Sequence, residues 1–430
     1  MKKALIITYP FPPINSIASM RFGSLVKYFK SNNWLPYVLT TNSTGDLKVD
    51  IEEDMIFRYS NNFIGAIKDR KTYNDSIGNA RLMIGKIKRK ASMSSIVFFS
   101  RYRDYFSSWK KEAIGKREEI RKRTGPINVV ISTCSPITAL QLGGYFSTFF
   151  RVPWIADFRD LGALKDYDRY KTTKFIDQYL EKKIVKRASC ITTVSNSLKD
   201  ILYNSYYKRC EVIYNGWVES DNLVGLSLEE EKQRIENAKG IIGKKYFYYA
   251  GNLREYCVDS IKALLGAISF TSEDEYYLVI RSLGPAKLEK ALIDLSDTLG
   301  VRNRLILLEP CELVQAKFEE HNSFCNVVFE DLSLNTNYSK GTLTGKFLKL
   351  LPKKPPILFI ARPDSDSKEI LEFSKKGKLC SNIGEIYDFI KSLSNSSENY
   401  KGISENISLF SIESQTRKLC ELFDSIIEMN

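Results

Sequence analysis

Histidine is nearly absent: the 430-residue chain has one, His321. A Ser-His-Asp triad, a histidine-rich metal site or a histidine general base would each have to pass through it. It lies in Phe318-Glu-Glu-His-Asn-Ser323, a polar run that reads as the solvated end of a helix, so most hydrolase mechanisms are not expected. Closely spaced cysteines are missing too. The eight cysteines, at 134, 190, 210, 257, 311, 325, 380 and 420, are scattered without a C-x-x-C pair. This pattern argues against a zinc site or a disulfide framework and fits small buried side chains in a reducing cytosol. No apolar run reaches the roughly 20 residues needed to cross a bilayer. The apolar stretch Ala4–Thr8 is short for a signal peptide and runs into Tyr9-Pro-Phe-Pro-Pro13, so it reads as a first buried strand. Internal repeats and low-complexity tracts are also absent.

What remains is an ordinary globular composition, 43% hydrophobic and 27% charged, in a chain long enough for two domains of about 200 residues each. Short apolar runs alternate with amphipathic periods almost throughout. Strands are predicted at Ala4–Thr8, Leu35–Thr40, Asn128–Ser132, Pro153–Asp157, Cys190–Val194 and Glu211–Ile213. A helix is predicted over Ile17–Lys30, with Phe22, Leu25, Val26 and Phe29 on one face. After a polar stretch, Glu219 to Lys239, the alternation restarts with strands at Lys245–Ala250, Tyr276–Arg281, Arg304–Leu308, Cys325–Phe329 and Ile357–Ile360. A last helix, Ile412–Met429, carries Leu419, Leu422, Phe423 and Ile426 on one face. Such βα series call for parallel sheets covered on both sides, which bind ligands outside the carboxyl ends of their strands. The expected fold class is therefore α/β, two Rossmann-like doubly wound domains facing each other across a cleft. The expected limits are 1–216 with a basic insertion at about 60–125, then 217–405, then a helix within 406–430 packing back towards the first domain.

The net charge of +13 is concentrated in one region. Between Lys68 and Arg123, 17 Lys and Arg stand against 6 Asp and Glu, a surplus of 11, interleaved with Tyr73, Phe98, Phe99, Tyr102, Tyr105, Phe106 and Trp109. Three readings fit: a solvated helical face, a surface for anionic lipid headgroups, or a nucleic-acid backbone site. No nucleic-acid recognition motif accompanies it, and no nucleic-acid partner is expected.

One segment concentrates the chemistry. In Gly341-Thr-Leu-Thr-Gly-Lys346 a glycine-spaced turn opens a short helix bearing Lys346 and Lys349, which breaks at Pro352 before the apolar Ile357–Ile360. Backbone N–H groups and a helix start beside an ammonium suit an anionic ligand such as a diphosphate. This segment resembles the donor-binding "tGK-x-x-E-Y-L" stretch of family-4-like glycosyltransferases of the GT-B fold. Five further segments resemble theirs in the same order: Tyr9-Pro-Phe-Pro-Pro13 with Ser19-Met-Arg21, Pro153-Trp-Ile-Ala-Asp-Phe-Arg-Asp160, Ile191-Thr-Thr-Val-Ser195, Val212-Ile-Tyr-Asn-Gly216 and Tyr249-Ala-Gly-Asn-Leu-Arg254.

The resemblance implies a metal-independent transferase without a cofactor. It would move a sugar, with retention, from a nucleotide diphosphate sugar to a glycan or lipid-linked acceptor in cell-surface polysaccharide biosynthesis. Asp157 and Asp160 are the candidate catalytic carboxylates, with Ser19, Arg21 and Arg159 on the substrate. Gly251, Arg254, Thr344, Gly345, Lys346 and Lys349 are the candidate donor-binding residues. A structural Asp–Arg pair fixing the loop is the competing reading of the Asp157–Asp160 segment. Lys349 stands where the family has the carboxylate that holds the ribose hydroxyls. It is read as a second phosphate contact, a solvent-facing side chain, or a sign that donor binding is lost. The last would make the chain a non-catalytic GT-B scaffold. The expected location is the cytoplasm, at the inner face of the plasma membrane if the 68–123 region meets lipid.

Overall fold

Continuous apolar runs with no polar alternation become strands covered on both faces. The structure, a computed structural model, describes residues 1–60, 107–164, 174–218, 227–272, 275–282, 284–334 and 340–429. Two compact units divide the chain, Met1–Asn215 together with Ile412–Asn430, and Gly216–Ser411.

The first unit holds seven strands, β1 Lys2–Ile7, β2 Trp34–Thr41, β3 Ile56–Tyr59, β4 Val129–Cys134, β5 Trp154–Phe158, β6 Cys190–Thr193 and β7 Cys210–Val212. All pair in parallel, in the order β3-β2-β1-β4-β5-β6-β7. Ile6 lies between Val38 and Ile131 in register, and Ala4 to Ile7 are fully buried. The helix Ile412–Glu428 belongs to this unit: Phe423 sets its ring edge-on to Phe29 and Trp34, at 6.0 and 5.1 Å between centroids. Leu419, Leu422, Phe423 and Ile426 are all buried, as their spacing predicts.

The second unit holds β8 Lys245–Gly251, β9 Tyr276–Ser282, β10 Leu305–Leu308, β11 Cys325–Phe329, β12 Ile357–Ile360 and β13 Gly377–Cys380, parallel in the order β10-β9-β8-β11-β12-β13. Alternation along β8 divides the core. Phe247 and Tyr249 join Leu264, Leu278 and Phe389 on one face, while Tyr246 and Tyr248 join Val279 and Phe318 on the other.

Several expectations change. The first helix is α-helical only over Ile17–Leu25 and continues as 3₁₀ turns to Asn32. Three residues per turn superpose i and i+3, the spacing of Val26 and Phe29, and both are buried. The stretch 219–239 contains the helix Leu228–Asn237, started by a reciprocal Ser227–Glu230 capping box. None of its residues is buried, so no apolar period announced it. Strand β3 is four residues long and was not expected. Most of the basic region, 61–106, lies outside the described residues. Its described end corrects one reading: Trp109 is no surface aromatic but fully buried, its Nε1 donating to the Thr40 carbonyl at 3.0 Å. Cys311 is exposed, in contrast to the buried thiols expected throughout. Among the described residues no helix is long and apolar enough to cross a membrane.

Candidate functional site

Each sheet reverses its strand order once, between β1 and β4 in the first unit and between β8 and β11 in the second. Such reversals open a crevice outside the carboxyl ends of the strands.

In the first unit, the loop after β1 leads into the helix Ile17–Leu25, whose N-cap is Ser16. Ser19 closes the capping box. Its hydroxyl donates to the carbonyls of Ile14 and Ser16, and the residue is fully buried. Two residues on, the Arg21 guanidinium meets the end of β5. Its Nε and Nη2 donate to the two Asp157 oxygens at 3.0 and 2.7 Å, and Nη1 donates to the Ile213 carbonyl at 3.0 Å and Asn215 Oδ1 at 2.9 Å. Asp157 also accepts from Thr192 at 2.8 Å. Burial alone would raise the Asp157 pKa, but the Arg21 charge and the hydrogen bonds from Arg21, Thr133 and Thr192 outweigh it and hold the carboxyl low. Arg21 and Asp157 are 4% and 0% exposed, so each is the other's partner and the pair spans 136 positions of sequence.

Arg159 turns to the end of β4, where it donates to the carbonyls of Cys134 and Ser135 at 3.1 and 3.0 Å. Asp160 accepts from the Gly162 N–H at 2.9 Å and shapes its own turn. The five sequence candidates of this unit thus gather at one sheet edge, engaged with protein atoms. Two residues the sequence did not single out support them. Asn215 receives Arg21, and the buried Glu181 accepts from the Ala163 N–H at 3.0 Å. Glu181 looks like any surface glutamate of a charged helix, and only its i+4 relation to Asp177 hinted at an inward polar stripe.

The edge of the second unit is different. Lys346, in the six-residue helix Gly345–Leu350, places its ammonium 3.5 Å from the centroid of the Tyr249 ring and donates to the Ala250 carbonyl at 2.6 Å. Burial pushes its pKa down to about 8, against the pull of Glu320 and Cys257. Gly251 has φ +150°, a conformation that favours glycine, and a Cβ there would stand 3.9 Å from the Lys346 ammonium. Thr344, the N-cap of that helix, has a buried hydroxyl with no hydrogen-bond partner among the described residues. A Cβ at Gly345 would meet nothing within 4 Å. Arg254 is exposed, Lys349 is half-buried, and neither has an ion-pair partner among the described residues.

Glu330 follows β11, and no sequence motif marks it. It is 8% exposed, and its carboxyl has no hydrogen-bond or ion-pair partner among the described residues. Burial, reinforced by Asp331, raises its pKa to about 8. It follows β11, the strand paired with β8, whose end receives the Lys346 ammonium. A cation, a neutral acid and a hydroxyl, all short of partners, can together receive a ligand rich in oxygen anions. Among the described residues no three His, Cys, Asp or Glu side chains are grouped to hold a metal ion.

No family model matches the sequence, and no curated protein matches it. Solved structures do match in shape. A glycosyltransferase from Rickettsia africae ESF-5 is similar at TM-score 0.63 and 12% identity, with 100% of each chain covered. Sucrose-phosphate synthase from Thermosynechococcus elongatus is similar at 0.63 and 9%, again over 100% of each. HepE of Anabaena, in complex with UDP, is similar at 0.61 and 10%, over 99% of this chain and 100% of that one. The fold is GT-B, with one doubly wound parallel sheet in each unit.

Proposed function

We propose that the chain is a glycosyltransferase that moves a sugar from a nucleotide diphosphate sugar to a hydroxyl of a glycan or lipid-linked glycan, with retention and without a metal, in cell-surface polysaccharide synthesis. A fold shared at such low identity does not fix a reaction, so the weight falls on the site. The observation that carries the reading is the edge of the second sheet at β8 and β11, where the buried Lys346 ammonium reaches the end of β8, the Thr344 hydroxyl lacks a partner among the described residues, and the buried Glu330 follows β11. The HepE structure holds UDP, which makes UDP the first donor nucleotide to try.

In this reading the second unit binds the donor and the first the acceptor. Lys346, with Arg254, faces the charge that develops on the leaving diphosphate, and fixed positive charge there lowers the barrier. Glu330, neutral below about pH 8, donates a hydrogen bond instead of repelling the phosphates. Retention needs no protein nucleophile when the donor's own phosphate oxygen takes the acceptor proton, so positioning carries much of the rate. Asp157 and Arg21 hold the acceptor loops in place, and Asp160 and Arg159 shape the neighbouring turns. The enzyme works in the cytoplasm, with the 68–123 stretch against the anionic inner face of the plasma membrane.

Lys349 supports a second reading, a scaffold that keeps the fold without turnover, because a half-buried cation stands where the family has a carboxylate. Titration with UDP, GDP, CDP and their sugar conjugates separates the two. At 100 times its dissociation constant a ligand stabilises by about 2.7 kcal/mol, which a melting curve resolves. One responding nucleotide followed by sugar transfer supports the enzyme, and binding without transfer to any glycan tried favours the scaffold. Silence across the panel removes the donor site.

A further inference from the structure

The helix Lys174–Val185 is built inside out. Its buried face carries two carboxylates, Asp177 at 1% and Glu181 at 2% exposure, together with Val185. Its outer face carries Phe175, 80% exposed, and Tyr179, 61% exposed, followed by the exposed Lys182 and Lys183 and, just past the helix, Lys186. Phe175, Tyr179, Lys182 and Lys186 recur at i, i+4, i+7 and i+11, so they form one stripe about 17 Å long. The helix Asn196–Tyr206 is adjacent. Tyr206 bonds Glu181 from within, while Tyr203 and Tyr207 point outward and the Lys182 ammonium lies 5.5 Å from the Tyr207 ring.

Two features of this face select an occupant. Both acids between Lys174 and Lys186 are buried, so the exposed part of that helix carries cations and aromatic rings and no anion. The stripe is also narrow. It is one row of rings and lysines, a form that can lie along a lipid surface, which needs no bounded counterpart. Tyrosine and phenylalanine rings at headgroup depth, with lysines reaching phosphates, are the side chains such a surface holds.

We propose that the stripe Phe175–Tyr179–Lys182–Lys186 docks the first unit on an anionic phospholipid bilayer. The contact uses none of residues 68–123 and stands whether or not the chain transfers sugar.

The test is co-sedimentation of the full chain with vesicles of phosphatidylcholine alone or mixed with phosphatidylglycerol. The wild type should bind the mixed vesicles, and added salt should weaken binding. F175S/Y179S and K182E/K183E/K186E should each lower the partition coefficient by about tenfold or more. All five side chains are exposed, so melting curves and nucleotide binding should stay at wild-type values. Absence of wild-type binding overturns the proposal, as does wild-type affinity in both variants. A wild-type dimer in sedimentation velocity that F175S/Y179S converts to monomer also overturns it, since a second copy would then cover the stripe.

Discussion

The candidate site residues at the carboxyl edges of the two sheets carry charge in opposite states. In the first unit Arg21 and Asp157 neutralise each other, and four of the five guanidinium N–H groups have protein acceptors. In the second unit Lys346 has one carbonyl and an aromatic ring, Glu330 has no side-chain partner among the described residues, and the Thr344 hydroxyl has none either. A charged residue in a recognisable motif therefore says little about its task until its partners are counted. Satisfied charges hold architecture, and unsatisfied ones at a strand end await a ligand.

The largest expected effect tests the satisfied edge. Asp157→Ala leaves a buried guanidinium without its anion and should cost about 3–5 kcal/mol in urea unfolding, with R21M/D157L recovering most of it. If Asp157→Ala loses transfer activity while keeping wild-type stability, Asp157 faces substrate and the contrast between the edges fails.

Next comes the unsatisfied edge. Lys346→Gln should weaken UDP binding about 10²-fold by calorimetry. Its stability should move the other way. The folded pKa of about 8 lies below the ordinary 10.5, so this group's contribution is present above 10.5 and lost as pH falls through 8. At pH 7 the mutant should therefore be more stable by on the order of 2 kcal/mol in a melt. Weaker binding with lower stability would make Lys346 a structural residue.

The smallest effect sharpens the contrast through pH. Glu330 has its folded pKa raised from 4.5 to about 8, so its contribution is complete below 4.5 and lost as pH rises through 8. Glu330→Gln should be the more stable protein at pH 9, by on the order of 1–2 kcal/mol. Ligand binding by the wild type should fall from pH 7 to 9, as Lys346 loses its proton and Glu330 becomes an anion. Glu330→Gln should show a shallower fall, and identical pH profiles for the two proteins would leave Glu330 outside the site.

Sequence reading reached the strands because parallel strands are apolar on both faces: Ile357–Ile360 and Cys325–Phe329 were bounded to the residue. It failed where local pattern carries no signal. The helix Leu228–Asn237 buries nothing, and β3 offers four residues with Arg58 among them. At the sites, residue types were legible but partnerships were not. Nothing local joins Arg21 to Asp157, or marks Glu330 as other than one of two acids after a strand. Burial decides both, and burial is a property of the assembled sheet.

The helix Ile412–Glu428 also fixes an order of events. It completes the first unit, yet the ribosome reaches it only after the whole of Gly216–Ser411. Until then the faces of Phe29 and Trp34 that will meet Phe423 stay uncovered on the nascent chain. A chain stopped at Ser411 would carry a finished second unit beside a first one with an open, sticky seam, a ready target for chaperones and proteases.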